Sequence, residues 1–138
     1  MVEKFLRLAV KDLFKINRSI TGNGVRQTLR IYQNHFKNLK IRKIKCGTKV
    51  FDWQIPEEWN VSDAYVLDRF NKKIINFKNS NLHLVGYSLP VNKLFSKAEL
   101  FKHLHSLPAQ PEAIPYVTSY YKKNWGFCLK NSQKVNFD

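Results

Sequence analysis

Apolar residues recur at helical spacing twice in the first third of the chain. Val2, Phe5, Leu6, Ala9, Val10 and Leu13 mark one side of a helix over residues 2–14, with Lys4, Arg7 and Lys11 opposite, because positions three and four apart share a face. The polar run from Lys15 to Gly22 reads as a loop. Thr21 or Asn23 is placed there to accept the free N–H groups of the next turn. Val25, Leu29, Tyr32 and Phe36 then return at intervals of four, three and four, the stripe of a second amphipathic helix over residues 23–37.

The middle of the chain changes period. Phe51, Trp53 and Ile55 alternate with Asp52 and Gln54 and predict a half-buried strand ended by Pro56. Ala64 to Leu67 and Ile74 to Phe77 flank the polar turn Asp68–Lys72, which predicts a hairpin. Leu82 to Leu89 predicts a further strand. Alternation fails between Ile41 and Ile44, so residues 39–46 read as a bulge or an edge. Residues 40–92 together read as a small β-rich unit inserted between helical segments at either end.

Ser96 and Glu99 have capping-box spacing, in which hydroxyl and carboxylate each satisfy a backbone N–H. Leu100, Phe101, Leu104 and Leu107 then predict a helix stopped by Pro108. Pro108, Pro111 and Pro115 stiffen the connector that follows. The last residues, 131–138, show no pattern that ends an element.

Composition supports a packed chain: 43% of residues are hydrophobic, with 10 Phe, 6 Tyr and 3 Trp, enough for a core. Five Gly and five Pro argue against disorder. The net charge of +14 raises nucleic acid as a partner. The cations, however, are scattered from Lys4 to Lys134, and no Gly-aromatic motif of an RNA-binding sheet is present. A solvated basic surface is therefore the preferred reading, and a nucleic-acid partner is not expected. Cys46 and Cys128 are far apart and not in a CxxC pair; they allow one disulfide, but two buried free thiols are the preferred reading. The first residues lack the apolar run and cleavage site of a signal peptide. No stretch approaches the length of a membrane span. A soluble, cytoplasmic protein with no membrane partner is expected.

Chemistry is hard to place on these residues. Four histidines are present, His35, His83, His103 and His105. His103 and His105 lie two apart on a predicted helix and so point about 200° apart, which forbids a shared metal. His83 falls in a predicted strand, and His35 sits beside the apolar stripe of the second helix. There is no HExxH, GxSxG or phosphate-binding loop. No catalytic residue and no metal ligand is assigned to the chain, and no cofactor is expected in it. Polar residues embedded among aromatics stand out instead, and caps and turns around a core of Trp and Tyr explain most of them.

Five segments carry a resemblance. In order they are INRSITGNGVRQTLRIYQ (16–33), GTKVFDWQIPEEWNVSDAY (47–65), NSNLHLVGYSLPVN (79–92), LHSLPAQP (104–111) and IPYVTSYYKKNWGFC (114–128). Together they resemble the start of a bacterial aminopeptidase-like family, of the zinc aminopeptidase or glutaminyl-cyclase type. A domain of unknown function is inserted near the N-terminus of that family. Some of its members are called polysaccharide biosynthesis proteins with an aminopeptidase-like domain.

The resemblance implies an α+β chain: amphipathic helices of an incomplete aminopeptidase-like α/β sandwich plus the inserted β-rich domain. It divides the chain into residues 1–39, the helical opening, 40–92, the insert, and 93–138, the return to the aminopeptidase-like domain. The family's metal ligands lie in a later segment, so zinc is expected only in a full-length member. Arg18, Ser19, Thr21, Tyr116, Ser119, Tyr120 and Trp125 are implied to come together as a substrate-lining surface, with Arg18 suited to a substrate carboxylate. The expected function is that of an N-terminal fragment of a zinc-dependent aminopeptidase-like hydrolase, inactive alone. Its partner would be the missing catalytic half or a second copy of itself, and the complete protein's substrate a peptide or other amide. The alternative is a stand-alone binding module that recognises a peptide, glycan or nucleic acid through basic and aromatic surfaces.

Overall fold

A computed structural model describes residues 2–137 of the chain as an α+β structure. It has two compact units, one ending at Val61 and the next beginning at Ser62.

The first unit contains both predicted helices, α1 (Val2–Leu13) and α2 (Asn23–His35). Phe5 packs against Tyr32 and Phe36 with ring centroids 5.9 and 4.8 Å apart. Ala9, Leu13 and Thr28 are buried. Gly22 takes the N-cap position of α2 and so caps it with no side chain. The N–H of Asn23 instead donates to Asn60 Oδ1 at 2.7 Å, 37 residues on. Thr21 is spent on the same strap, since its Oγ1 donates to Glu57 O at 3.2 Å and accepts from Trp59 N at 3.3 Å. Arg26 and Glu58 close the strap with an ion pair.

The predicted strand over 51–55 is two strands and a turn. β1 (Lys49–Val50) and β2 (Trp53–Gln54) pair antiparallel around Phe51 and Asp52. Phe51 takes a φ of 55° in that turn. A two-residue reversal leaves Phe51 and Trp53 two apart in sequence, as a continuous strand would, so alternation cannot distinguish them. Residues 37–46 contain no strand.

The second unit begins with the predicted hairpin, β3 (Tyr65–Leu67) and β4 (Lys73–Asn76), with a bulge between Val66 and Leu67. Asp68 Oδ1 accepts from the N–H groups of Phe70 and Lys72 at 2.8 and 2.9 Å and so shapes the turn. The strand predicted over 82–89 is broken into a 3₁₀ turn at Asn81–His83 and two single bridges, Leu84 to Phe127 and Gly86 to Thr118.

Helix α3 (Lys97–Phe101) begins with the predicted capping box but stops well before Leu107. Leu104–His105 is instead strand β5, parallel to β6 (Phe127–Cys128). The N–H groups of Phe127 and Leu129 donate to His103 O and His105 O at 2.8 and 3.0 Å. This pairing explains the departure, because a turn-spaced Leu104 also reaches the core from a strand. A final helix, α4 (Asn131–Val135), was not expected from the pattern. Ile75, Leu104, Phe127 and Leu129 form the core of this unit, packed about by Val66, Leu84, Phe101 and Trp125.

Candidate functional site

The richest surface of the second unit is built on the Gly86–Tyr87 turn. Gly86 N donates to Val117 O and Ser119 N donates to Gly86 O, each at 2.9 Å. Ser119 Oγ also donates to Gly86 O at 3.2 Å. Ser88 N donates back to Val85 O at 3.1 Å, which closes a tight turn with Tyr87 at its third position and a φ of 65°. A side chain in the left-handed region costs on the order of 1 kcal/mol, so the surrounding ladder holds the residue there.

The result is a ledge of phenols. The Tyr87 ring meets Tyr120 edge-on at 4.9 Å, and Tyr121 follows at 6.3 Å from Tyr120. A hydrogen bond with Tyr120, aided by partial burial, raises the Tyr116 phenol above its ordinary range. Tyr116 and Tyr121 are largely exposed. This surface sets phenol hydroxyls beside apolar ring faces, suited to a polar, uncharged group such as an amide or a sugar.

Of the residues implied by resemblance, Tyr116, Ser119 and Tyr120 gather on this ledge. Trp125 lies flat on His103 with centroids 3.8 Å apart, and its carbonyl is 2.9 Å from His103 Nδ1. Phe95 flanks that pair at 4.8 Å from Trp125. Arg18, Ser19 and Thr21 belong to the first unit. Arg18 Nη1 donates to Leu13 O at 2.7 Å and satisfies a carbonyl at the end of α1. Ser19 Oγ accepts from Thr21 N at 3.3 Å and donates to Thr21 O at 2.8 Å.

Sequence reasoning missed Tyr87. The signal was there: a bulky residue follows Gly86 directly, between the buried Val85 and the turn-forming Ser88.

The histidines serve structure. His83 lies in the 3₁₀ turn, not a strand, and is buried with Nδ1 2.7 Å from Cys128 O. His105 is on β5, not a helix, and burial together with Lys134 and His103 lowers its pKa. His35 packs edge-on to Phe5 at 4.9 Å. Among the described residues no three His, Cys, Asp or Glu side chains converge. The donor set present here therefore does not fit a zinc ion. No described helix is long and apolar enough to cross a membrane.

The α+β fold of this chain is shared with a solved structure. Over 99% of its length it superposes with a TM-score of 0.93 and 46% identity on a crystal structure called "putative peptidase", from Clostridium acetobutylicum. It is also 51% identical over 124 residues, 90% of this chain, to a protein of that organism named "Putative polysaccharide biosynthesis protein with aminopeptidase-like domain". This chain spans only 32% of the crystallised chain and 28% of the named relative. The chain belongs to the family described as "Domain of unknown function (DUF2172)", which matches residues 58–138.

Proposed function

We propose that this chain is the N-terminal, metal-free part of a zinc-dependent aminopeptidase-like hydrolase. In this reading it shapes the approach of an amide substrate, while the catalytic metal is held by residues outside it. One observation carries the reading: nearly the whole chain reproduces about a third of a "putative peptidase" at a TM-score of 0.93. The described residues offer no ligand set for zinc, so no chemical step is assigned to them. Their contribution is positional. The Tyr116–Tyr120 pair supplies a hydroxyl donor for a carbonyl oxygen, and the rings of Tyr87 and Tyr121 supply a wall. Arg18, in the first unit, is proposed to pair with a substrate carboxylate.

The test uses the chain alone and a chimera in which residues 1–138 replace the matched segment of the crystallised relative. The chain alone should hold far less than about one zinc per molecule and cleave no aminoacyl anilide. The chimera should cleave it and lose that activity to a chelator. Turnover by residues 1–138 alone, or an active chimera indifferent to chelation, would refute the reading.

A further inference from the structure

The first unit sets charge of one sign beside exposed apolar side chains. Between Leu13 and Pro56 the chain has ten Lys and Arg and a single acid, Asp52. Arg18 and Arg26 are engaged, on Leu13 O and on Glu58. The other eight form no ion pair among the described residues. Six of them, Lys37, Lys40, Arg42, Lys43, Lys45 and Lys49, fall within residues 37–49 and are exposed. Ile41 and Ile44, set among these cations, are 36% and 65% exposed. The β1–β2 hairpin grows directly out of this segment, because Gly47 N donates to Ile55 O at 2.8 Å and Ile55 N to Thr48 O at 3.0 Å. At its tip Phe51 is 98% exposed and left-handed. Asn, Asp and Gly are the residues that such a tip favours. A Phe there combines backbone strain with poor hydration, and at that exposure nothing in its own unit offsets either. An outlier of this kind points to a contact made outside the chain.

The surface of an anionic bilayer matches both features. Its headgroups attract the cations, each Lys or Arg near the surface adding about fivefold to binding, and its interface takes up apolar side chains. One such signal gives marginal binding, and two together hold a protein. A single-stranded nucleic acid would use the same cations, but it also needs aromatic rings among them on which bases stack. Residues 37–49 contain no aromatic residue, and Ile41 and Ile44 cannot stack. The observations therefore favour lipid.

We propose that residues 37–51 form a peripheral docking surface for an anionic membrane, with the cations on the headgroups and Phe51 in the interface. The lack of an apolar span made a membrane partner unexpected from the sequence, but a surface-bound protein needs no span. The inference is independent of the proposed function.

Co-sedimentation of residues 1–138 with phosphatidylcholine vesicles, with and without roughly one third phosphatidylserine, tests it. The chain should pellet with the anionic vesicles, stay in solution with the neutral ones, and be released by about 1 M salt. Lys43→Gln combined with Lys45→Gln should weaken binding about 25-fold, and Phe51→Ala about tenfold. Asp52→Asn removes the one opposing charge at the tip and should tighten binding. In the unaltered chain, lipids brominated high on the acyl chain should quench tryptophan fluorescence, because Trp53 lies next to the tip. No pelleting at low salt overturns the inference, as does binding without quenching that Phe51→Ala leaves unchanged. Tighter binding to a single-stranded oligonucleotide than to the vesicles would make nucleic acid the partner and overturn it too.

Discussion

Gly22 and Gly47 both hold left-handed backbone, with φ of 90° and 82°, yet they differ in what surrounds them. A Cβ on Gly22 would lie 2.3 Å from Trp59 O, a backbone atom that cannot swing away, whereas at Gly47 the nearest atom is 3.7 Å off. Gly47→Ala should therefore cost only the left-handed penalty, about 1 kcal/mol. Gly22→Ala adds a steric clash against the strap and should cost roughly 3 kcal/mol. Urea midpoints of the two variants check the ranking. The phenols make a second prediction. Tyr116 is an acid whose pKa is raised, mainly by its hydrogen bond with Tyr120. The native state thus keeps a proton that the unfolded chain releases near pH 10. Its contribution is complete below that pH and is lost as pH rises through the raised value. Tyr120→Phe should move the Tyr116 titration down towards pH 10, read by phenolate absorbance. An unmoved titration would mean the hydroxyl pair is not what holds the proton.

The elements show where a pattern can be read and where it misleads. α1, α2 and the β3–β4 hairpin were legible, because each has enough residues to show a period and a turn that interrupts it. The capping box at Ser96 and Glu99 was legible too, since it is a contact between near neighbours. β5, β6 and α4 were not: they run two, two and five residues, and distant contacts hold them. Lys134 Nζ, for example, donates to Leu104 O at 2.7 Å across 30 residues. The phenol ledge was legible only in part, because Tyr87 owes its position to a ladder with residues 117–119. Two variants separate these cases. Ser96→Ala removes a local cap and should cost about 1 kcal/mol. Leu129→Ala empties a fully buried site beside β6 and should cost about 2–5 kcal/mol. Denaturant titration of both should preserve that order.

At the scale of the molecule, order is unevenly distributed within each unit. The second unit concentrates its buried residues along Val85, Leu104 and Phe127–Leu129. The first unit buries Ala9, Leu13 and Thr28 around a single helix pair. Amide exchange should accordingly be slowest at Val85, Phe127 and Leu129, whose N–H groups are bonded within that cluster. It should be fastest across residues 37–46, which form no element and are mostly exposed. Fast exchange at Leu129 would show that the parallel pair is not the anchor of its unit.

Each unit also contains one cysteine, half-buried Cys46 in the first and enclosed Cys128 in the second. Burial pushes the Cys128 thiol up to about 11, so near pH 8 it is both shielded and protonated, and a thiol in that state is inert. The molecule thereby carries an internal clock. A disulfide reagent should consume Cys46 on mixing, whereas Cys128 waits for the β6 region to open and reports the frequency of that opening in real time.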